Sequence, residues 1–549
     1  MTDLIANGES GASVRAKLNE LVRLGSYIVV EDTPLLTGVS AYGVDGYGCI
    51  GWILDEDGEQ TLTRLNATTG AVGEFQADNA MLPLLSHTVG EDDVYAETWE
   101  DGYGITAMRV RKADGVVEIG AAEISKLNAE LESSDPTASM TDIDRVLSSS
   151  DGQSRIAQWT YIPVYGESTS VGSGGYPALS TVQPYANLTF TGGTKSAVGS
   201  DTAASKPLVE DNKNAGGGAD TTTHGETPAT AMASAISEYA LQRHGILPSD
   251  LVIFSSTPGQ GSQKISDLDK AGTYYTRLLG HVTAAMGLAT AAGKTFTCPA
   301  VAFICGANDA ANGTARATWL ALMLQLAIDI DADIRAITGQ SLPVKTFLYQ
   351  TSGASATAAQ LADIQLAQMD AIAQSPLIEG TGPWYDKAFN GDGVHNLNTG
   401  YNEGGRQIGL CIGRYLFEGE PRHFRVVAAF ARGNTLRVRF SEPAKIDALT
   451  IGEATDYGLK VTDGTGTLSL FGIRIDAGDI VCTLHRALGA SPVLRVALDA
   501  KGAGLTNGAN GKSSNVRAVS TTAYSRAGVA REVIRWAPHS EIPIQILES

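Results

Sequence analysis

The chain has 549 residues and a formal charge of −20, with 43% hydrophobic and 18% charged residues. That length exceeds one ordinary core, so several domains are expected, and the composition excludes a disordered chain. An acidic surface repels phosphate backbones, which argues against nucleic acid as a partner.

At the N-terminus, MTDLIANGES has neither the basic nor the apolar region of a signal peptide. No apolar run approaches the roughly 18 residues of a membrane span. The expectation is a protein made in the cytoplasm, without cleaved export or membrane insertion. In GASVRAKLNELVRL (11–24), Val14, Leu18, Leu21 and Leu24 recur at helical spacing, and Gly25 supplies a stop. So short an amphipathic helix must dock its stripe on another chain or partner, which marks 1–26 as an attachment segment. Ser10 ends a Gly-Glu-Ser that recurs at Gly166-Glu167-Ser168; at this end it reads as a helix cap.

From 27 to 130 short apolar stretches are broken by Gly and Asp. DGYGCIGWI (45–53) and DGYGITAMRV (101–110) share DGYG before a strand-like run, predicting a β-rich module with DEDG (55–58) and KADG (112–115) as hairpin turns. Residues 131–155 are Ser/Asp-rich and read as a linker.

Between 156 and 418 apolar strands alternate with helical stretches, the pattern of a parallel sheet covered by helices. Strands are expected at TYIPVY (160–165), DLVIFS (250–255), PAVAFIC (299–305) and PVKTFLY (343–349), and helices at 228–243 and 315–337. Thr227, Pro228 and Gly245 carry the start and stop signals of the first helix. A glycine-rich loop, 209–228, precedes it, of the kind that borders active sites. Beyond 419 the helices stop and the alternation predicts a β-sandwich, suited to glycan binding or packing. Cys49, Cys298, Cys305, Cys411 and Cys482 form no CxxC pair, so neither a disulfide framework nor a zinc site is indicated, and Cys305 reads as a core residue.

In such sheets chemistry collects beyond the carboxyl ends of the strands. There the sequence places Ser168 after the first strand, STPGQGSQ with Gly259 and Gly261 after the second, and Gly306-Ala307-Asn308-Asp309 after the third. A helix is expected to begin near Ser262, and Asp392 and His395 stand before the last helix. These residue types suit acyl transfer. His395 can take the proton of Ser168, Asp392 can fix the imidazole, and the Ser168 amide, a glycine amide (Gly261, with Gly259 competing) and the Asn308 side chain can receive the oxyanion. His244, His281, His423, His485 and His539 read as surface or packing residues; His224, in the glycine-rich loop, is held in reserve.

G-x-S, a glycine turn, G-x-N-D and D-x-x-H, in that order over 156–418, resemble the SGNH (GDSL-like) hydrolases, most nearly their carbohydrate-esterase and sialate O-acetylesterase branch. Glu167 departs from the usual Asp or Gln, and PGQGSQ leaves the donor glycine open. The resemblance implies a central α/β/α domain with a flavodoxin-like parallel sheet, Ser168 as nucleophile, Asp392 and His395 as carboxylate and base, Gly261 and Asn308 in the oxyanion hole, and neither cofactor nor metal. LIANGESGASVRAKLNEL resembles a segment of bacteriophage tail proteins. Together these imply a homotrimeric tail spike or fibre in the virion, attached to tail or baseplate proteins, that removes O-acetyl groups from a host surface polysaccharide. The alternatives are a bacterial carbohydrate O-acetylesterase without a phage, and an inactive glycan-binding adhesin on the same scaffold.

Overall fold

The computed structural model describes residues 155–549 except 221, 420–422, 527–528 and 548–549, and, as backbone alone, strands between 28 and 119 and at 525–526 and 529–530. The expected helix at 11–24, Ser10 and the linker up to 154 lie outside the described residues. Residues 1–140 and 141–549 form two compact units.

In the first unit, Ile28–Val29, Val39–Val44, Cys49–Asp55, Gln60–Thr61, Arg64–Asn66 and Val72–Gly73 make one antiparallel sheet; Ser86–Val89, Tyr95–Glu100, Thr106–Arg111 and Val117–Ile119 make another. Each DGYG leads into a strand, and the pairs Ile53↔Thr61 and Val110↔Val117 close hairpins around DEDG and KADG.

The second unit contains an α/β part whose elements run β1 Trp159–Tyr161, β2 Val164–Gly166, β3 Leu188–Phe190, α1 Pro228–His244, β4 Val252–Phe254, α2 Thr273–Ala291, β5 Ala300–Ile304, α3 Ala307–Ala311, α4 Arg316–Thr338, β6 Lys345–Gln350, α5 Ala358–Gln374, β7 Ile378–Pro383 and α6 Asn398–Glu418. Pro163, which has no N–H, divides the first strand. β1 pairs with β4 on one side, and beyond the proline β2 pairs with β5 on the other, all parallel. With β6 and β7 following β5 in parallel, the sheet has the order 2-1-3-4-5, counting β1 and β2 as one strand and leaving aside the edge strand β3. β3 extends the edge beside β4 and pairs antiparallel with Ser205–Pro207; strands this short carry no readable period and were not expected from the sequence.

Alternation in β5 shows why the sheet needs helices on both faces. Val301 and Phe303 join a core with α2, α4 and α5, including Leu278, Trp319, Ile330 and Ile364. Ala300, Ala302 and Ile304 join a second core with α1 and α6, including Met232, Ile236, Ile408 and Ile412. Thr227 accepts a hydrogen bond from the Ala229 amide at the start of α1, and Gly245 ends it at φ 65°. The helix expected near Ser262 begins instead at Thr273. Ser262 takes φ 61°, the carboxylates of Asp267 and Asp309 accept the Lys264 and Ile265 amides, and only a short 3-10 turn, Ile265–Asp267, forms there.

Beyond α6, Leu470–Asp476, Asp479–Leu484, Thr435–Phe440, Val426–Arg432 and Gln545–Ile546 form a mixed sheet in that order, and Gly466–Leu468, Leu459–Asp463, Val493–Val496 and Ser540–Pro543 form an antiparallel one. Leu436, Val438 and Phe440 alternate inward to meet Val461, Leu494 and Trp536, and Tyr385 of the α/β part enters this core. Its hydroxyl donates to the Ser514 and Ala537 carbonyls.

Candidate active site

The order 2-1-3-4-5 leaves a crevice where the strand succession reverses, beside the carboxyl end of the first strand. Gly166 turns the chain there. At φ 145°, a β-carbon on it would lie 1.9 Å from the Ile304 carbonyl oxygen, so only glycine leaves β2 this close to β5. Ser168 then opens a one-turn 3-10 helix, Ser168–Val171.

His395 Nε2 lies 2.9 Å from Ser168 Oγ, and His395 Nδ1 lies 2.7 Å from Asp392 Oδ2. The other Asp392 oxygen accepts the Val394 and His395 amides at 2.9 and 3.0 Å, which fixes the carboxylate before α6 starts. Partial burial raises Asp392, but the hydrogen bonds from His395 and these amides outweigh it, and its carboxyl sits below the usual aspartate range. The Asp392 side chain is 43% exposed and that of His395 27%, so the site lies open at the surface.

A β-carbon on Gly261 would lie 3.7 Å from Ser168 Cβ, whereas one on Gly259 would lie 2.4 Å from the Gly166 carbonyl and from Ser170 Oγ. Gly261 thus borders the serine, and Gly259 packs against Gly166 and Ser170. The Gln260 amide donates to the Gly166 carbonyl and Arg277 to the Gly259 carbonyl, which pins this loop. Among the described residues, neither the Ser168 nor the Gly261 N–H is engaged by another backbone group. The Asn308 side-chain amide donates to the Ser262 carbonyl at 3.0 Å, leaving its second N–H for another acceptor.

Glu167 organises the third loop. Its carboxylate accepts the Gly306, Ala307 and Asn308 amides at 2.7, 2.7 and 3.0 Å. Full burial pushes this carboxyl up to about 7, against the pull of those amides. Cys305 is fully buried in the core behind it.

Of the remaining histidines, His281 is buried with its ring on Ser256 Oγ and the Ser196 carbonyl, and burial takes it down to about 4. His423 and His539 are also buried, His244 stacks on Phe417, and His485 accepts the Ser469 amide. His224 is different. Its Nε2 lies 2.9 Å from Ser173 Oγ and its Nδ1 2.7 Å from Asp220 Oδ2. Ser173 carried no signal in the sequence, because 51 residues separate it from its histidine, whereas Asp220 lies four residues before His224.

No group of three His, Cys, Asp or Glu side chains able to hold a metal gathers among the described residues, and no helix there is long and apolar enough to cross a membrane. A cavity of about 310 Å³, lined among others by Glu238, Arg406, Glu442 and Arg535, lies between α1, α6 and the C-terminal strands and contains no serine–histidine pair.

No family model matches the chain, and no curated protein does. Among solved structures, it is similar to a carbohydrate acetylesterase from Xanthomonas citri, with 12% identity over 70% of this chain and 80% of that one and a TM-score of 0.40. It is also similar to a protein from Arabidopsis thaliana, with 12% identity over 48% and 98% and a TM-score of 0.34. The N-terminal part of a bacterial S-layer protein follows at 9% identity, 58% and 55% coverage and a TM-score of 0.14. These similarities are too distant to assign a fold family.

Proposed function

We propose that the chain is a serine esterase that removes O-acetyl groups from a surface polysaccharide. The observation that carries this reading is the hydrogen-bonded chain Ser168–His395–Asp392 at the sheet's crevice, beside the free amides of Ser168 and Gly261. Ser168 Oγ attacks the ester carbonyl and passes its proton to His395 Nε2. Asp392 accepts the Nδ1–H, holding the tautomer and steadying the imidazolium. The tetrahedral oxyanion is received by the Ser168 and Gly261 amides and the spare Asn308 N–H, each such donor contributing ~2.7–4 kcal/mol at the transition state. The sugar oxygen leaves with the proton from His395, and water, activated by the same imidazole, releases acetate.

A carbohydrate substrate and the SGNH family follow from the four-motif resemblance, and the open setting of His395 and Asp392 suits an ester borne on a polymer. The β-strand region after 425 is read as a sandwich that grips glycan or packs. In its full form the proposal is a homotrimeric phage tail spike or fibre, held through residues 1–26 and working from the virion. An inactive adhesin would have no need to keep the serine, imidazole and carboxylate in hydrogen-bond contact.

Ser168→Ala should lower hydrolysis of a small acetyl ester by at least about tenfold, the loss of its nucleophile. It should still bind O-acetylated polysaccharide, since affinity and transition-state stabilisation are separable. Mass spectrometry of polysaccharide treated with the native protein should show ~42 Da lost per site with chain length kept, the signature of ester hydrolysis. Unchanged turnover in Ser168→Ala refutes Ser168 as the nucleophile, and depolymerised product refutes the esterase. Light scattering that reports a monomer removes the spike.

A further inference from the structure

The loop that was expected only to border the site carries a second copy of its chemistry. Ser173, His224 and Asp220 repeat the distances of Ser168, His395 and Asp392, 2.9 Å from Nε2 to the hydroxyl and 2.7 Å from Nδ1 to the carboxylate in both. The carboxylates are built alike. Asp220 Oδ1 accepts the Thr222 and Thr223 amides at 2.9 Å, as Asp392 Oδ1 accepts those of Val394 and His395, while Oδ2 faces the imidazole. The hydrogen bond from His224, then those amides, hold Asp220 well below the usual aspartate range.

The two serines share one place. The Ser173 amide donates to the Ser168 carbonyl at 3.1 Å. A β-carbon on Gly261 would have Ser168 Cβ 3.7 Å away and Ser173 Oγ 4.0 Å away, so the same face of Gly261 borders both side chains. Both are buried to the same degree, at 9% and 8% exposure. The loop bringing His224 is firmly seated. His224 bridges Ser173 in antiparallel pairing, and buried Lys195 donates to the Asp211 and Gly225 carbonyls near its two ends. Glu210, at its start, accepts Thr227 and Thr230.

We propose that Ser173, His224 and Asp220 form a second nucleophilic relay in the same crevice, with Ser173 as a second serine that accepts an acyl group. Asp220 fixes the tautomer with the proton on Nδ1, which leaves Nε2 to take the hydroxyl proton. Ser173 Oγ bonds to the acyl carbon of an ester while its proton passes to His224. The alcohol departs with that proton as its C–O bond breaks. Water then attacks the acyl-serine, giving its proton to His224, and the carboxylic acid leaves as Ser173 recovers its hydrogen. One crevice thus holds two serine hydroxyls, which suits a polymer substituted at neighbouring hydroxyls.

The test does not depend on Ser168. The full-length protein, Ser168→Ala, Ser168→Ala/His224→Gln and Ser168→Ala/Asp220→Asn are treated with a fluorophosphonate, and the adducts are mapped by mass spectrometry of digests. The expected result is an adduct on Ser173 in Ser168→Ala, formed about 10²-fold or more slowly once His224 is replaced and slowed also by Asp220→Asn. No adduct on Ser173 in a Ser168→Ala protein of native circular dichroism overturns the proposal. So does labelling of Ser173 that is indifferent to both His224→Gln and Asp220→Asn. Labelling of Ser173 but not Ser168 in the native protein would sink the Ser168 reading and leave this one standing.

Discussion

Glu167 shows how one side chain couples the site to the fold. It stands next to the serine in sequence, yet its carboxylate is spent on the Gly306, Ala307 and Asn308 amides across the sheet. Burial raises it from 4.5 to about 7, so the folded chain holds this proton more tightly than the unfolded one. The stability it contributes is then full below pH 4.5 and is lost as pH rises through 7. Glu167→Gln cannot titrate there. The melting temperature of the native protein should therefore fall, relative to that of Glu167→Gln, between pH 4.5 and 7. A difference that stays flat, or that grows in the native protein's favour, contradicts this. Glu167 thus acts on the loop after β5, and through it on where Asn308 lies.

At the scale of elements, α1 and α6 approach closely because α6 presents glycines to α1. A β-carbon on Gly409 would lie 2.4 Å from the Met232 carbonyl oxygen, and one on Gly405 2.3 Å from that of Pro228. Glycine inside a helix ordinarily costs up to ~1 kcal/mol relative to alanine, and here close packing reverses the sign. Gly409→Ala should destabilise by about 1–3 kcal/mol through overpacking. Gly287 is the control. It lies on the exposed side of α2 with nothing within 4 Å, so Gly287→Ala should stabilise by roughly 0.5–1 kcal/mol. Denaturant midpoints that move in the same direction for both variants would refute the argument. The site depends on this pairing, because α6 begins just after His395 and α1 just after the loop that carries His224.

At the scale of the molecule, the strands beyond 425 do more than extend the chain. Residues 141–549 are one compact unit, and the segment 506–510 braces the loop that presents Asp392 and His395. Gly508 packs against Gly393, where an added β-carbon would lie 2.4 Å from Gly508 Cα. Thr506 Oγ1 accepts the Phe389 amide, while Asn507 and Asn510 donate to the Ser352 and Ala356 carbonyls. Gly508→Val should displace the 390–395 loop and lower kcat on a small acetyl ester by as much as about 10²-fold, the usual cost of misplacing a catalytic group by an ångström. Far-ultraviolet circular dichroism should stay native. Full activity in a folded Gly508→Val protein would show that the C-terminal strands do not position the histidine.

What the sequence determined by itself was local. Alternation and stop signals placed β1, β4, β5 and β6, the caps of α1, and the order of four short motifs, because each depends on neighbours within a few residues. The start of α5 is local in the same way, set by the Thr357–Gln360 capping box. Tertiary structure alone decided the rest. It chose Gly261 over Gly259 as neighbour of Ser168, committed Glu167 to amides about 140 residues away, and turned α6 glycines into a helix contact. It also brought His224 to Ser173. These depend on distances between segments far apart in the chain, which no periodicity records, since folding fixes them only when two faces of one sheet are packed at once.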